Sequence, residues 1–128
     1  MATINSFEEL ECWQDARVFT RAIYSMVKSE PFRKDYDLLS QIRRSAVSVM
    51  ANIAEGFHRH SRKDFLKFLD YSRASLAETT SHLYVALDQG YITENNLDDL
   101  KTTADKVGRK INGLVSYLNR TNKTGKAG

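Results

Sequence analysis

The segment between residues 39 and 57 is predicted to form a helix with more apolar surface than one core requires. Its apolar side chains fall on two adjacent stripes with the three- and four-residue spacing of an α-helix. The first stripe is Leu39, Ile42, Ala46, Val49 and Ile53, and the second is Val47, Met50, Ala54 and Phe57. At 100° per residue the stripes merge into an arc of roughly 160°, whereas a helix at a globular surface needs about 100°. Since another copy of the same chain is the simplest cover for the surplus, the sequence predicts a homo-oligomer.

The rest of the chain is predicted to be helical as well. Three further stripes of apolar residues with helical spacing lie within residues 10–27, 65–87 and 97–118. The 128 residues include one proline and show no strand-like alternation, which argues against an all-β fold with its many turns. Four helices with short connections predict an all-α, antiparallel up-down-up-down four-helix bundle. We expect this bundle over residues 1–120 and a disordered basic tail over residues 121–128.

Start and stop signals locate the ends of the four predicted helices. Ser6, Ser61 and Thr93 are the predicted N-caps, and the first two have the hydroxyl-to-carboxylate spacing of a capping box. The second helix is expected to begin near residues 34–36. The predicted ends of the first three helices are Pro31, Gly56 and Gly90.

Charge is unevenly distributed along the chain. The net charge is +3, with seven Lys or Arg against three Asp or Glu in residues 31–63 and seven against four in residues 91–128. The other two segments are net negative. This alternation predicts a basic face, although ordinary solvated helix surfaces give the same pattern. On the fourth helix, Lys106, Arg109, Lys110 and Arg120 are expected to extend this basic surface, although they are spread around the helix and not in line.

The cysteine content and the N-terminal residues indicate the cellular compartment of the protein. Cys12 is the single cysteine, so the chain has no internal disulfide and no cysteine-based zinc site, which fits a reducing compartment. The N-terminal residues lack the basic segment and apolar run of a signal peptide. No apolar run reaches membrane-spanning length. We therefore expect a cytoplasmic protein without a membrane partner.

The strongest candidate for a binding site is the basic corner between the second and third helices. Arg62 and Lys63 fall in the first turn of the third helix, where the helix dipole disfavours cations, so helix stability does not explain them. Cations beside the exposed amides of a helix N-terminus suit phosphate. We therefore predict nucleic-acid contacts here, the alternative being a solvated loop. The predicted contacts are Arg44, His58, Arg59, His60, Arg62 and Lys63.

A second set of candidate residues concerns self-association. Arg43 projects into the wide apolar arc, where it can pair across subunits or extend its charge to solvent. Trp13 is predicted to be a core or interface anchor rather than a platform for a ligand. The predicted oligomer-interface residues are Trp13, Arg43, Val47, Met50 and Phe57.

Patterns that would indicate enzymatic chemistry are weak. Glu55 and His58 have the spacing of one di-iron ligand pair, but that chemistry needs a second such pair and two further inward-facing carboxylates. The remaining candidate pair, Glu78 and His82, has a different spacing. The sequence contains no glycine-rich phosphate loop and no recognisable Ser-His-Asp arrangement. We therefore expect no enzymatic activity, no metal and no cofactor.

Several motifs resemble one bacterial family. They are residues 41–48, the Asn-Ile-Ala-Glu-Gly string of residues 52–56, Ser61 with Phe65 and Phe68, and the segments 10–16 and 73–78. They resemble the bacterial four helix bundle protein family, whose members are encoded in intervening sequences of large-subunit ribosomal RNA genes. A related group is the accessory variability determinant of diversity-generating retroelements. The resemblance covers about residues 7–120, and one departure is Val49 with Met50, where the family often has Ile-Pro.

The resemblance implies a closed homopentameric ring of bundles with a positively charged surface. In the retroelement relatives it also implies binding of nucleic acid and of a reverse transcriptase. Together with the basic corner, this predicts a non-enzymatic, homo-oligomeric bundle that binds the phosphate backbone of RNA or DNA or serves as an accessory scaffold. The alternative is a protein–protein interaction scaffold with no nucleic-acid affinity.

Overall fold

The computed structural model of the protein describes residues 3–123, with side chains for residues 3–121. In this part of the chain the secondary structure is entirely helical. A short 3-10 helix, Phe7–Glu9, comes first. It is followed by α1 (Glu11–Met26), α2 (Glu30–Arg33), α3 (Tyr36–Phe57), α4 (Arg62–Asp88) and α5 (Glu94–Lys123).

The four long helices pack as a bundle. α3 contacts α1 and α4, and α5 contacts the same two helices. Small polar side chains form hydrogen bonds between α3 and α4. Thr79 Oγ1 donates to Ser45 Oγ at 2.8 Å, and Ser72 Oγ donates to the Val49 backbone carbonyl at 2.6 Å. The prediction of an all-α helical bundle is confirmed. The largest fully buried apolar side chains are Phe19, Ile23, Phe32, Ile42, Ile53, Leu69, Leu83 and Ile111.

α3 begins at Tyr36, as predicted, and its two apolar stripes have different surroundings. The first stripe is buried, apart from the half-buried Leu39. In the second stripe, Met50 and Phe57 pack against the core, whereas Val47 is 41% exposed. Because α1 and the 3-10 helix of the same chain also contact α3, the apolar surface left uncovered is narrower than the predicted arc.

The first predicted helix ends before Pro31. α1 stops at Met26, and Pro31 lies in the first turn of α2. In that position the missing N–H of proline costs no hydrogen bond, and its fixed φ suits a helix. The prediction that Pro31 terminates the first helix is therefore wrong, because the extended residue before the proline turn is Ser29, at φ −63° and ψ 151°, and not Glu30.

Gly56 is not the helix end that the sequence predicts. α3 continues through Phe57, and its C-cap His58 has right-handed φ and ψ of −85° and −1°. The glycine is buried against α4, where an added Cβ would lie 2.8 Å from the Phe68 Cβ and 3.0 Å from the Phe65 Cδ1. Glycine is therefore required here for the close approach of α3 and α4, and not for a left-handed turn.

Ser6 does not cap α1. It precedes the 3-10 helix, and α1 begins after Leu10. The Ser6 hydroxyl donates to Glu9 Oε2 at 3.4 Å, and the Asn5 N–H donates to the same oxygen at 3.3 Å. The predicted capping box is therefore wrong, because the Ser6 hydroxyl is a donor to the carboxylate instead of an acceptor from a helical amide.

The other three signals are confirmed. Ser61 Oγ accepts from the Asp64 N–H at 3.1 Å at the start of α4. Thr93 Oγ1 accepts from the Asn96 N–H at 3.1 Å, and Asn96 Oδ1 accepts from the Thr93 N–H at 3.0 Å, so α5 begins with a reciprocal cap. Gly90, just beyond α4, has a φ of +76°, the left-handed conformation that favours glycine.

The end of α5 corrects the predicted tail. The helix continues to Lys123, so residues 121–123 are helical, although the sequence predicts disorder from residue 121. The remaining predicted tail residues, 124–128, lie outside the described residues. Among the helices of residues 3–123, none combines the length and the apolar character that a membrane span needs.

Candidate nucleic-acid interface

Residues 58–61 form the turn between α3 and α4. The Arg59 N–H donates to the Gly56 carbonyl at 3.1 Å and closes the last turn of α3. The cap between Ser61 and Asp64 opens α4. Hydrogen bonds therefore hold both ends of this turn, and its side chains project from a defined backbone.

The predicted nucleic-acid contacts are accessible. Five of the six residues lie in the corner formed by residues 58–63, and the sixth, Arg44, lies on α3. Arg62 is half-buried. The exposed members are Arg44, His58, Arg59, His60 and Lys63.

Arg59 is the best-anchored cation of the corner. Its Nη2 lies 2.8 Å from Glu55 Oε2, one helical turn earlier. Its guanidinium carbon also lies 4.6 Å from the centre of the Phe68 ring, within cation–π range. These two contacts fix the guanidinium, and the Glu55 carboxylate offsets part of its charge.

His58 connects the basic corner to the 3-10 helix near the N-terminus. Its ring centre lies 5.9 Å from that of Phe7 and 5.6 Å from that of Phe57, with edge-to-face geometry in both pairs. The imidazole is exposed at the same time. Aromatic packing therefore positions a side chain that can still reach a ligand.

Two open hollows of about 630 Å³ each lie along the outer side of α3. The first is lined by residues that include Arg43, Arg44 and Asn52. The second is lined by Ala51, Ala54, Glu55, His58, Arg59 and His60. Ala51 belongs to both, so the hollows are contiguous, and at the helical rise Arg44 and Arg59 are about 22 Å apart along the axis. Arg44 therefore lies on the same helix side as the corner.

Two of the predicted oligomer-interface residues, Arg43 and Val47, lie where α1 meets α3, since they line one hollow with Tyr24 of α1. On α3, Arg43, Val47, Met50 and Phe57 repeat at the spacing of one helix face. The Arg43 guanidinium carbon lies 5.9 Å from the Tyr24 ring centre on α1. Trp13 packs edge-on against Phe7 with ring centres 5.1 Å apart. Contacts within the chain therefore use part of the surface predicted to bind another copy.

Sequence reasoning missed the surface role of an aromatic pair at the start of α4. Phe68 and Tyr71 lie in edge-to-face contact with ring centres 5.4 Å apart, and Tyr71 is 48% exposed. Lys67 Nζ lies 5.8 Å from the Phe68 ring centre. The apolar stripe predicted within residues 65–87 is widened by Phe68, and such a stripe normally faces the core. A signal was nevertheless present, since Tyr71 is not part of the predicted apolar stripe.

The cations of α5 are partly engaged by acidic residues of α1. Lys110 Nζ forms a hydrogen-bonded ion pair with Glu11, and Lys106 Nζ lies 3.7 Å from Asp15 Oδ1. The Lys110 ammonium holds the pKa of the Glu11 carboxyl below its usual value of 4.5. These pairs join α1 to α5, so they reduce the charge that this side offers to an external anion.

The donor groups of the candidate di-iron pair and the single cysteine have the following surroundings. Within the part of the chain that the structure describes, no group of three or more His, Cys, Asp or Glu side chains forms a metal site. Burial raises the pKa of the Cys12 thiol to about 11, so the thiolate needed for nucleophilic attack is scarce at neutral pH. The Glu55 carboxylate, in the candidate di-iron pair, accepts from Arg59.

Comparisons with known proteins identify both the fold and the family. A crystal structure of a protein of unknown function from the S23 ribosomal protein family, from Bacteroides thetaiotaomicron, is similar to this chain, with a TM-score of 0.73 at 23% identity. The match covers 81% of this chain and 97% of that chain, and at this identity it shows the fold alone. A search of curated proteins gives no match. The family model described as 23S rRNA-intervening sequence protein matches residues 8–113, which confirms the resemblance in the motifs. The chain therefore belongs to the 23S rRNA-intervening sequence protein family.

Proposed function

We propose that this protein is a non-enzymatic, homo-oligomeric four-helix bundle that binds the phosphate backbone of RNA or DNA as an accessory protein. The observation that carries the proposal is the group of basic side chains in residues 58–63, which lie in the turn before α4 and in its first turn. A helix N-terminus disfavours cations and favours anions. An anionic ligand accounts for the exposed Lys63 at this place, whereas helix stability does not.

We infer an up-down-up-down arrangement of the four long helices, with copies of the chain associating into a ring, as in a homopentamer. Neighbouring helices contact each other in opposite sequence order: Ser45 meets Thr79, and Val49 meets Ser72 further along the two helices. Opposite order supports antiparallel packing. Tyr24 of α1 and Val47 of α3 are both exposed and line the same hollow, and this apolar patch supports self-association through the α1–α3 side.

The test of nucleic-acid binding is fluorescence anisotropy with labelled RNA and DNA across salt concentration. If phosphate contacts drive binding, the logarithm of the association constant falls linearly with the logarithm of the salt concentration. The slope is about −0.7 to −0.9 per neutralised phosphate. Binding at about 50 mM salt that weakens in this way supports the proposal. No binding of either nucleic acid at that salt concentration would refute it.

The corner itself is tested by a variant with Arg59→Ala, Arg62→Ala and Lys63→Ala. Each lost phosphate contact should lower the salt slope by about 1 and weaken binding to all sequences alike. The matched control removes the same charge from other exposed positions, Arg21→Ala, Lys28→Ala and Lys34→Ala. Equal losses in the two variants would mean that only net charge matters and that the corner is not the site.

A second candidate function is a protein–protein scaffold with no nucleic-acid affinity. It is favoured by exposed apolar side chains on α1 and α3, of which Val18 is 51% and Val47 is 41% exposed. Such surfaces suit a protein partner, including a reverse transcriptase. This function predicts a stable oligomer and no change in anisotropy with RNA or DNA at low salt.

A further inference from the structure

An aromatic and cationic cluster lies beside the basic corner, on the side where α4 begins. It consists of Arg59, Lys67, Phe68 and Tyr71. The Phe68 ring is the centre of the cluster, with the Arg59 guanidinium carbon at 4.6 Å, Lys67 Nζ at 5.8 Å and the Tyr71 ring at 5.4 Å. Phe68 is half-buried against α3, near Gly56, whereas Tyr71 is 48% exposed. The cluster thus combines one ring that packing holds in place, Phe68, with one ring that is accessible, Tyr71.

Single exposed aromatic side chains are common and need no special explanation. Here the ring is paired with a second ring and accompanied by two cations. Arg59 is held from two directions, by Glu55 at 2.8 Å and by Phe68, so little side-chain entropy remains to be lost when a ligand binds. Pre-positioned aromatic rings and guanidinium planes are the groups on which unpaired nucleobases stack.

The hollow beside Arg59 adds a second feature that suits a base. It has a volume of about 630 Å³, and the small side chains of Ala51 and Ala54 line it together with His58, Arg59 and His60. This open hollow leaves room beside Arg59 for a planar heterocycle. Arg59 belongs to both the hollow and the cluster, so the two features are adjacent, with one cation between them for a backbone phosphate.

Stacking groups distinguish single strands from duplexes. In a duplex both faces of each base are covered by neighbouring bases, so only phosphates, sugars and groove edges are available. In a single strand the faces are free, and base–aromatic stacking adds to the attraction of phosphates. We propose that the cluster of Arg59, Lys67, Phe68 and Tyr71 binds unpaired bases, so that the ligand of this protein is single-stranded nucleic acid. The inference rests on the proposed function and specifies its ligand.

The test compares single-stranded and duplex oligonucleotides of about twelve nucleotides, within the range of known single-strand site sizes, by fluorescence anisotropy at about 50 mM salt. RNA and DNA strands of the same sequence are both used, because stacking does not depend on the sugar. For RNA, DNA or both, we expect the single strand to bind more tightly than the duplex of the same sequence. Tyr71→Ala should weaken single-strand binding by about 5- to 150-fold, the loss typical of one base stack, and leave duplex binding unchanged. Tyr71→Phe should retain the affinity.

Two matched controls separate stacking from charge and from general damage. Tyr84→Ala removes a tyrosine of similar exposure, 43%, from the same helix about 20 Å away, and should change neither affinity. Arg59→Lys keeps the charge but loses the planar group, and should weaken single-strand binding more than duplex binding. Equal affinity for single strand and duplex in both sugars, or an unchanged affinity of Tyr71→Ala, would overturn the inference while leaving phosphate binding intact. Absence of binding to every oligonucleotide would instead refute the proposed function.

Discussion

Gly56 is the residue whose role in the structure is most easily tested. Its missing side chain lets Phe65 and Phe68 approach α3, and an added Cβ would lie 2.8 Å from the Phe68 Cβ. Gly56→Ala should therefore destabilise the protein by about 1–3 kcal/mol, the usual cost of overpacking, despite the better helix propensity of alanine. The measurement is urea unfolding followed by circular dichroism.

The matched control for this prediction is Gly113→Ala on α5. Gly113 is exposed, and a Cβ there would have no atom within 4 Å. Since only helix propensity changes, this substitution should stabilise the protein by about 0.5–1 kcal/mol. If Gly56→Ala stabilised the protein to the same extent, the close contact with α4 would be unimportant.

Gly56 and Pro31 also show which residue roles the sequence can predict. Both residue types mark helix ends in many proteins, so the sequence predicts ends at both. At Gly56 the reason for glycine is a neighbouring helix, which no local pattern contains. Ser61 and Thr93 were predictable because their capping partners, Asp64 and Asn96, lie three residues away. Local hydrogen bonding was thus predictable at Ser61 and Thr93, although the same spacing failed at Ser6, where the hydroxyl donates to Glu9. Contact between helices is not contained in such local spacing.

The same distinction applies to whole helices. The apolar spacing predicts α3, α4 and α5 because helix periodicity is a local property. It does not predict how much of the second α3 stripe is covered, since Met50 packs on the core and Val47 remains exposed. Five of the six predicted site residues were adjacent in the sequence. The aromatic pair Phe68 and Tyr71 was missed because its place beside Arg59 depends on how α3 and α4 pack.

The ion pair between Glu11 of α1 and Lys110 of α5 provides a pH-dependent test. Lys110 lowers the pKa of Glu11 below 4.5, so this contribution to stability is present above pH 4.5 and is lost as pH falls through the folded pKa. Glu11 raises the pKa of Lys110 above 10.5, so the pair is complete below pH 10.5 and is lost as pH rises through that folded pKa. Lys110→Met should therefore lower Tm at pH 7 and have no effect near pH 2.

Lys101→Met is the control for that pH dependence. Lys101 also lies on α5, but its Nζ donates to a hydroxyl group, that of Tyr84, at 2.7 Å and not to a carboxylate. The change in Tm caused by Lys101→Met should therefore persist near pH 2. A Lys110→Met effect that persisted there equally would show that lost packing, and not the ion pair with Glu11, causes the change. Tm is measured by circular dichroism at both pH values.

At the scale of the whole molecule, the proposed assembly depends on the apolar surface that the bundle leaves uncovered. Val47 is the suitable probe because it is 41% exposed, whereas Met50 packs on the core and a charge there would disturb the fold itself. Light scattering should give the unmodified protein a mass several times 14.6 kDa. Val47→Glu should lower that mass and retain the helical circular dichroism spectrum. Val85→Glu, at a position that is 44% exposed on α4, is the control that should leave the mass unchanged.

The same variant connects assembly to binding. If several copies present their corners to one strand, the contacts after the first occur at high effective concentration, and affinity rises by about 10²- to 10⁴-fold without any new type of contact. Val47→Glu should therefore lose affinity for a strand long enough to reach several corners. For a strand that fills only one site, its affinity per chain should match that of the unmodified protein. An equal loss on both strands would place Val47 in the binding site itself, and an unchanged affinity for the long strand would mean that each subunit binds independently.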